Sequence, residues 1–174
     1  MHPVLWIAPE HRNRFFNSMA FCTLLVAAAL GILGQALHTP HAPMGVLSFE
    51  LAFTADALRQ MFAEWMPQHA ISVGFQLGLD FLLIPLYALS LSAALLYSRR
   101  EPARWIHILA WLLLVAGACD GVENTCLLRC LIDGPTDALA LAAGLFASIK
   151  FAILVAALVA WPALRFTRPL NPPG

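Results

Sequence analysis

The chain has 174 residues, of which 60% are hydrophobic and only 11% charged. A soluble domain is nearer half apolar and about a quarter charged; here the apolar excess comes in long runs, which excludes an ordinary water-soluble core and points to a membrane bundle. The formal net charge is zero, so no general attraction to nucleic acid is expected, and the length leaves room for one domain with little outside the bilayer.

Four segments can each cross about 30 Å of hydrocarbon at about 1.5 Å per residue. They are residues 18–37, 71–97, 105–131 and 139–164. The expected fold is therefore all-α: one transmembrane four-helix bundle over residues 1–165, followed by a disordered Pro-rich tail, 166–174. Arg12 and Arg14 precede the first span. A cleaved signal peptide would share that charged start, but an apolar run of roughly 20 residues with no small-x-small site after it favours a retained span.

His38-Thr-Pro-His-Ala-Pro43 ends the first span, because clustered prolines stop a helix. Over residues 45–65, Leu47, Leu51, Leu58, Met61, Phe62 and Trp65 recur at helical spacing. Glu50, Asp56, Arg59, Gln60 and Glu64 fill much of the remainder. This predicts one additional amphipathic interfacial helix on the outer membrane face; a cap packed over the bundle is the alternative, and the two are not exclusive. Met66-Pro67 precedes the second span, Arg99-Arg-Glu-Pro102 separates the second from the third, and Asp133-Gly-Pro-Thr-Asp137 separates the third from the fourth. Trp6, Trp65, Trp105 and Trp161 fall near span ends and read as interfacial anchors.

Arginine placement orients the bundle. Arg12, Arg14, Arg99, Arg100, Arg104, Arg165 and Arg168 lie on one side, against Arg59 and Arg129 on the other. The positive-inside rule then puts both termini in the cytoplasm.

Charged groups inside a span are costly and face a bundle interior or a wet cavity. Asp80, Asp120, Glu123 and Lys150, the only lysine, occupy such positions, with Gln76, Tyr87 and Asn124 as uncharged polar companions. Counting from the outer ends of their spans, all four charges sit roughly 12–17 Å below the outer surface. Asp120, Glu123, Asn124 and Leu127 follow i, i+3, i+4, i+7 and share one face; Gln76, Asp80 and Tyr87 share another, with Leu83 between them. Pro85 should perturb the second span near Asp80. The plain structural reading is that Lys150 pairs with Asp120 or Glu123 and fixes the register of two helices. Against it, three carboxyls facing one ammonium leave an excess of negative charge in a low-dielectric layer, which a bound cation or a retained proton must relieve. A retained proton would make one acid a proton donor. Asp80, Asp120 and Glu123 are thus candidate catalytic acids, and Gln76, Tyr87, Asn124, Lys150 and Glu50 candidate binding residues.

The remaining features say less. His38, His41 and His69, with Glu50 or Asp56, match no closed metal motif, and no metal or other cofactor is expected. Cys22, Cys119, Cys126 and Cys130 lack disulfide-framework or CxxC spacing and read as packing residues.

Phe49-Glu-Leu-Ala52, Leu79-Asp-Phe81 with Tyr87, Asp120-x-x-Glu-Asn124 and Lys150-Phe151 together resemble a group of small bacterial four-span membrane proteins to which no function attaches. That resemblance covers about residues 45–155 and implies a bacterial inner (cytoplasmic) membrane. The layout, with a non-spanning segment after span one and an acid in span two, is also similar to the EXPERA superfamily of sterol isomerases and sigma-2 receptor-like proteins. No signature stretch carries a catalytic residue across from it.

Three functions are compatible with these residues. The first is an acidic intramembrane pocket for a lipophilic, potentially cationic molecule or membrane lipid, with proton transfer as its chemistry. The second is a proton- or cation-coupled carrier in a homo-oligomer, which the lack of an inverted repeat disfavours. The third is an accessory subunit whose charges only clip helices together.

Overall fold

The computed structural model describes residues 1–98 and 102–166, and all regular structure among them is helical. Six α-helices are present there: α1 (Arg12–Leu33), α2 (Val46–Glu50), α3 (Ala55–Trp65), α4 (Ala70–Leu96), α5 (Arg104–Asp133) and α6 (Asp137–Phe166). Four stretches, Pro9–Leu37, Ala70–Leu96, Arg104–Asp133 and Asp137–Leu164, are long and apolar enough to cross a membrane, so the chain has the form of a multi-pass membrane protein. Arg99, Arg100, Arg168 and the Pro-rich tail beyond residue 166 lie outside the described residues.

Long helices form here because a backbone in hydrocarbon must satisfy its own polar groups. α4 runs unbroken through Pro85, which has no N–H to offer the Phe81 carbonyl one turn earlier. Gly134, at φ 93°, follows the last residue of α5, and the Thr136 hydroxyl accepts the Leu139 N–H at 3.3 Å to start α6. α5 is central and packs along both α4 and α6, while α1 packs along α4. Not one residue of α1 is buried, and its Phe21, Leu24, Leu25 and Ile32 are exposed. In lipid, such a face is the solvated one.

Residues 45–65 differ from the single predicted helix. They form two helices, α2 and α3, joined by a turn in which Phe53 adopts φ 51°. The Phe53 ring lies over Gly144 of α6, so close that a Cβ there would come within 2.6 Å of it. Thr54 Oγ1 then caps α3 by accepting the Ala57 N–H at 3.3 Å. Trp65 is not an interfacial anchor. It is fully buried, and its indole N–H donates to the Leu37 carbonyl at 3.0 Å. It packs with Phe49, Leu37 and Leu58 in a core beneath α3. By contrast, Trp6 and Trp105 are exposed.

A second core closes the opposite end around Val4, Ala93, Ile106, Leu113 and Ala157. The first residues are tucked into it. The Tyr97 hydroxyl donates to the Val4 carbonyl at 2.6 Å, and the buried His2 places Nε2 3.2 Å from the Ala110 carbonyl oxygen. Burial pushes the His2 imidazole below its ordinary pKa, which favours the neutral ring.

Candidate functional site

Between the two apolar cores lies the polar layer. α6 carries Lys150 into it, and α5 meets it with Asp120 and Glu123 one turn apart on the facing side. Lys150 Nζ stands 2.8 Å from Glu123 Oε2, 3.1 Å from Asp120 Oδ1 and 3.4 Å from Glu50 Oε2. The ammonium has three N–H donors and three carboxylate partners, so its capacity is used up. Its Nζ also lies 4.7 Å from the centroid of the Phe151 ring. Glu123 is fully buried; Lys150 Nζ hydrogen-bonds its Oε1 at 3.0 Å and stands 2.8 Å from its Oε2, which has an ion-pair contact there but no hydrogen bond. Tyr87 of α4 donates its hydroxyl to Asp120 Oδ2 at 2.9 Å.

The third acid on Lys150 is thus Glu50, not Asp80. The turn after α2 folds Glu50 inward, where only 9% of its surface remains exposed. Burial pushes its carboxyl pKa up to about 7; the Lys150 ammonium opposes the shift, and the Asp80 and Asp120 carboxylates add to it. Asp80 joins the layer differently. Asn124 Nδ2 donates to Asp80 Oδ2 at 2.9 Å and to Asp120 Oδ1 at 3.4 Å, bridging the two acids. The other end of that amide, Asn124 Oδ1, is buried and has no hydrogen-bond partner. A buried acceptor without a donor is rare in a folded protein.

The Asn124 side chain belongs to the wall of a cavity of about 360 Å³. Ala27, Leu30 and Gly31 of α1 form one side, α2 with Phe49 covers it, and Leu77 and Leu83 of α4 form the floor. Glu50, Gln76, Asp80 and Asn124 make its polar end. Gln76 gives one amide N–H to the Leu30 carbonyl at 2.7 Å and so ties α1 to α4. Gly34 leaves room for that side chain, since a Cβ there would stand 2.7 Å from Gln76 Nε2.

All the sequence-nominated residues therefore meet in one layer, but in two groups. Asp120, Glu123, Tyr87 and Lys150 form a closed cluster away from the cavity wall; Asp80, Asn124 and Gln76 line the cavity; Glu50 belongs to both. The histidines do not converge on Glu50. His41 Nδ1 lies 2.7 Å from Glu64 Oε1, and His38 Nδ1 3.1 Å from the Pro43 carbonyl. Sequence reasoning missed the docking of Phe53 on Gly144, whose only trace was a glycine in an apolar span. Comparison with protein-family models, curated proteins and solved structures returns no match for this chain.

Proposed function

We propose that the chain is a multi-pass protein of a bacterial inner membrane, with both termini cytoplasmic and α2 and α3 on the outer face. Its acidic intramembrane pocket binds a lipophilic molecule. One observation carries the reading: a cavity with apolar walls ends on Glu50, Gln76, Asp80 and Asn124, the composition of a small-molecule site. Volume and position suit one hydrocarbon chain or a compact ring system, its polar group held at mid-depth.

The same wall supports proton transfer. Glu50, with a pKa pushed up to about 7, changes charge near neutral pH, as a general acid or base must. Asp80 is the second acid in reach of an occupant. In this reading one of the two gives a proton to the bound molecule, and its ionised neighbour stabilises the positive charge that develops. Asn124 orients Asp80 through its 2.9 Å hydrogen bond, while Asp120 and Glu123 hold Lys150 in place as structural partners.

The test uses the full chain purified in mild detergent, with mass spectrometry of what it retains. Wild type should carry a lipophilic molecule at near-unit occupancy. Gly31→Leu, which fills the cavity from a position where a Cβ meets nothing, should empty it. If nothing is retained by wild type, and lipid extracts added back bind equally to wild type, Gly31→Leu and Asp80→Asn, the reading fails.

A further inference from the structure

From the donor and acceptor balance of the cavity's polar end we infer that its occupant is a lipophilic amine, a single-chain or compact amphiphile whose head is an ammonium carrying N–H groups. The inference rests on the pocket reading above and narrows it to one chemical class.

The polar end is rich in acceptors and poor in free donors. Asp80 receives one hydrogen bond, on Oδ2, from Asn124. Both N–H groups of Asn124 are engaged, one on Asp80 and one on Asp120, while its Oδ1 has no partner although only 1% of the residue is exposed. Lys150 has spent its three N–H groups on Glu50, Asp120 and Glu123. Gln76 keeps a single spare N–H after donating to Leu30. An occupant must therefore give hydrogen bonds more than receive them.

Charge points the same way. Glu50, Asp120 and Glu123 stand around the Lys150 ammonium and Asp80 joins the layer through Asn124 with no cation of its own, so the layer holds more acid than base. A phosphate, sulfate or carboxylate head would add to that excess. A hydroxyl head offers one donor and no charge. A quaternary ammonium has charge without an N–H to give the Asp80 carboxylate, which receives only one hydrogen bond from the protein. A primary or secondary ammonium supplies both, and charge-assisted bonds to carboxylates are the stronger kind.

The fold also gives such a molecule a way in. α1 packs along α4 and not along α6, and the cavity is walled by Gly31 of α1 on one side and Phe151 of α6 on the other. Ala27 and Gly31 on the α1 wall are exposed, so a tail can lie against them while its head reaches Asp80.

The experiment measures binding of n-decylamine, decyltrimethylammonium and decanol to the full chain in lipid nanodiscs by equilibrium dialysis at neutral pH, with empty nanodiscs subtracted. Decylamine should saturate at one per chain, at least about tenfold tighter than either analogue. Asp80→Asn should weaken decylamine by about tenfold while leaving decanol unchanged, and Gly31→Leu should abolish all saturable binding. Decanol binding as tightly as decylamine, and blocked by Gly31→Leu, would overturn the amine class and leave the pocket standing. Equal binding of decyltrimethylammonium would overturn the requirement for N–H donors. Decylamine binding unaltered in Asp80→Asn would remove the head from the place assigned to it. If none of the three saturates, the amine and the pocket fall together.

Discussion

The two halves of the polar layer share residues and depth but differ in how their charges are paired. On the α6 side, Lys150 is matched donor for acceptor by Glu50, Asp120 and Glu123, and Tyr87 closes the remaining side of Asp120. On the α4 side, Asp80 has one hydrogen bond and lines a cavity together with Asn124, whose buried Oδ1 has no partner. The contrast separates charge that holds the bundle together from charge left over for another molecule. A buried ion pair adds little net stability, yet removing one partner is severe, because the survivor is stranded in low dielectric.

The largest effect should come from stranding that survivor. Lys150→Met leaves three buried carboxyls without a counter-charge and should cost about 3–5 kcal/mol, measured as lost folded yield and lower Tm in detergent. Lys150→Met combined with Glu123→Gln should recover part of that loss, because the two residues couple. Failure of the double variant to improve on the single would show that the cluster is more than a clip.

Glu50 gives the next effect, and its sign follows from the raised pKa. A carboxyl whose folded pKa is about 7 against an ordinary value of 4.5 favours its neutral form in the fold. Its contribution is therefore full below about pH 4.5, declines as pH rises towards 7, and is lost above that. The difference is on the order of 3 kcal/mol. Melting curves between pH 5 and 8 should fall with pH in wild type and less steeply in Glu50→Gln. Equal slopes would contradict the assignment.

Smaller changes sharpen the open half. Gly34→Ala pushes a methyl group against the Gln76 amide and should break its 2.7 Å bond to Leu30, costing about 1 kcal/mol. Faster hydrogen exchange or proteolysis of α1, with α5 and α6 unaffected, would register it. Asp80→Asn should shift Tm least, by the value of about one hydrogen bond, while weakening amine binding about tenfold. A melt as damaged as that of Lys150→Met would place Asp80 with the structural charges.

Much of this arrangement was readable from sequence, because lipid simplifies the code. A run of apolar residues must be a helix, so helical spacing places Asp120, Glu123 and Asn124 on one face, and counting residues sets their depth. The structure brings them to Lys150 within 3.1 Å for both acids of α5. Outside the spans that simplification ends. Whether Glu50 faces water or the bundle depends on the turn at Phe53, and that turn depends on a ring finding Gly144 more than ninety residues away in sequence. Trp65 was misread for the same reason: an aromatic residue near a span end is either an interfacial anchor or the centre of a cap, and periodicity is identical for both. The unpaired Asn124 Oδ1 was invisible to spacing, since only packing decides which amide atoms meet a partner.

The central claim is the division between a charge-paired Lys150 cluster and an Asp80 wall that has no cation of its own, and crystals of the full chain grown in a lipid mesophase test it most directly. The account predicts electron density in the cavity between Gly31 and Phe151, with its polar end within hydrogen-bond distance of the Asp80 carboxylate, and Lys150 still bound to Glu50, Asp120 and Glu123. A cavity closed by α1, with Asp80 drawn onto Lys150 and no density beside Asn124, would contradict it.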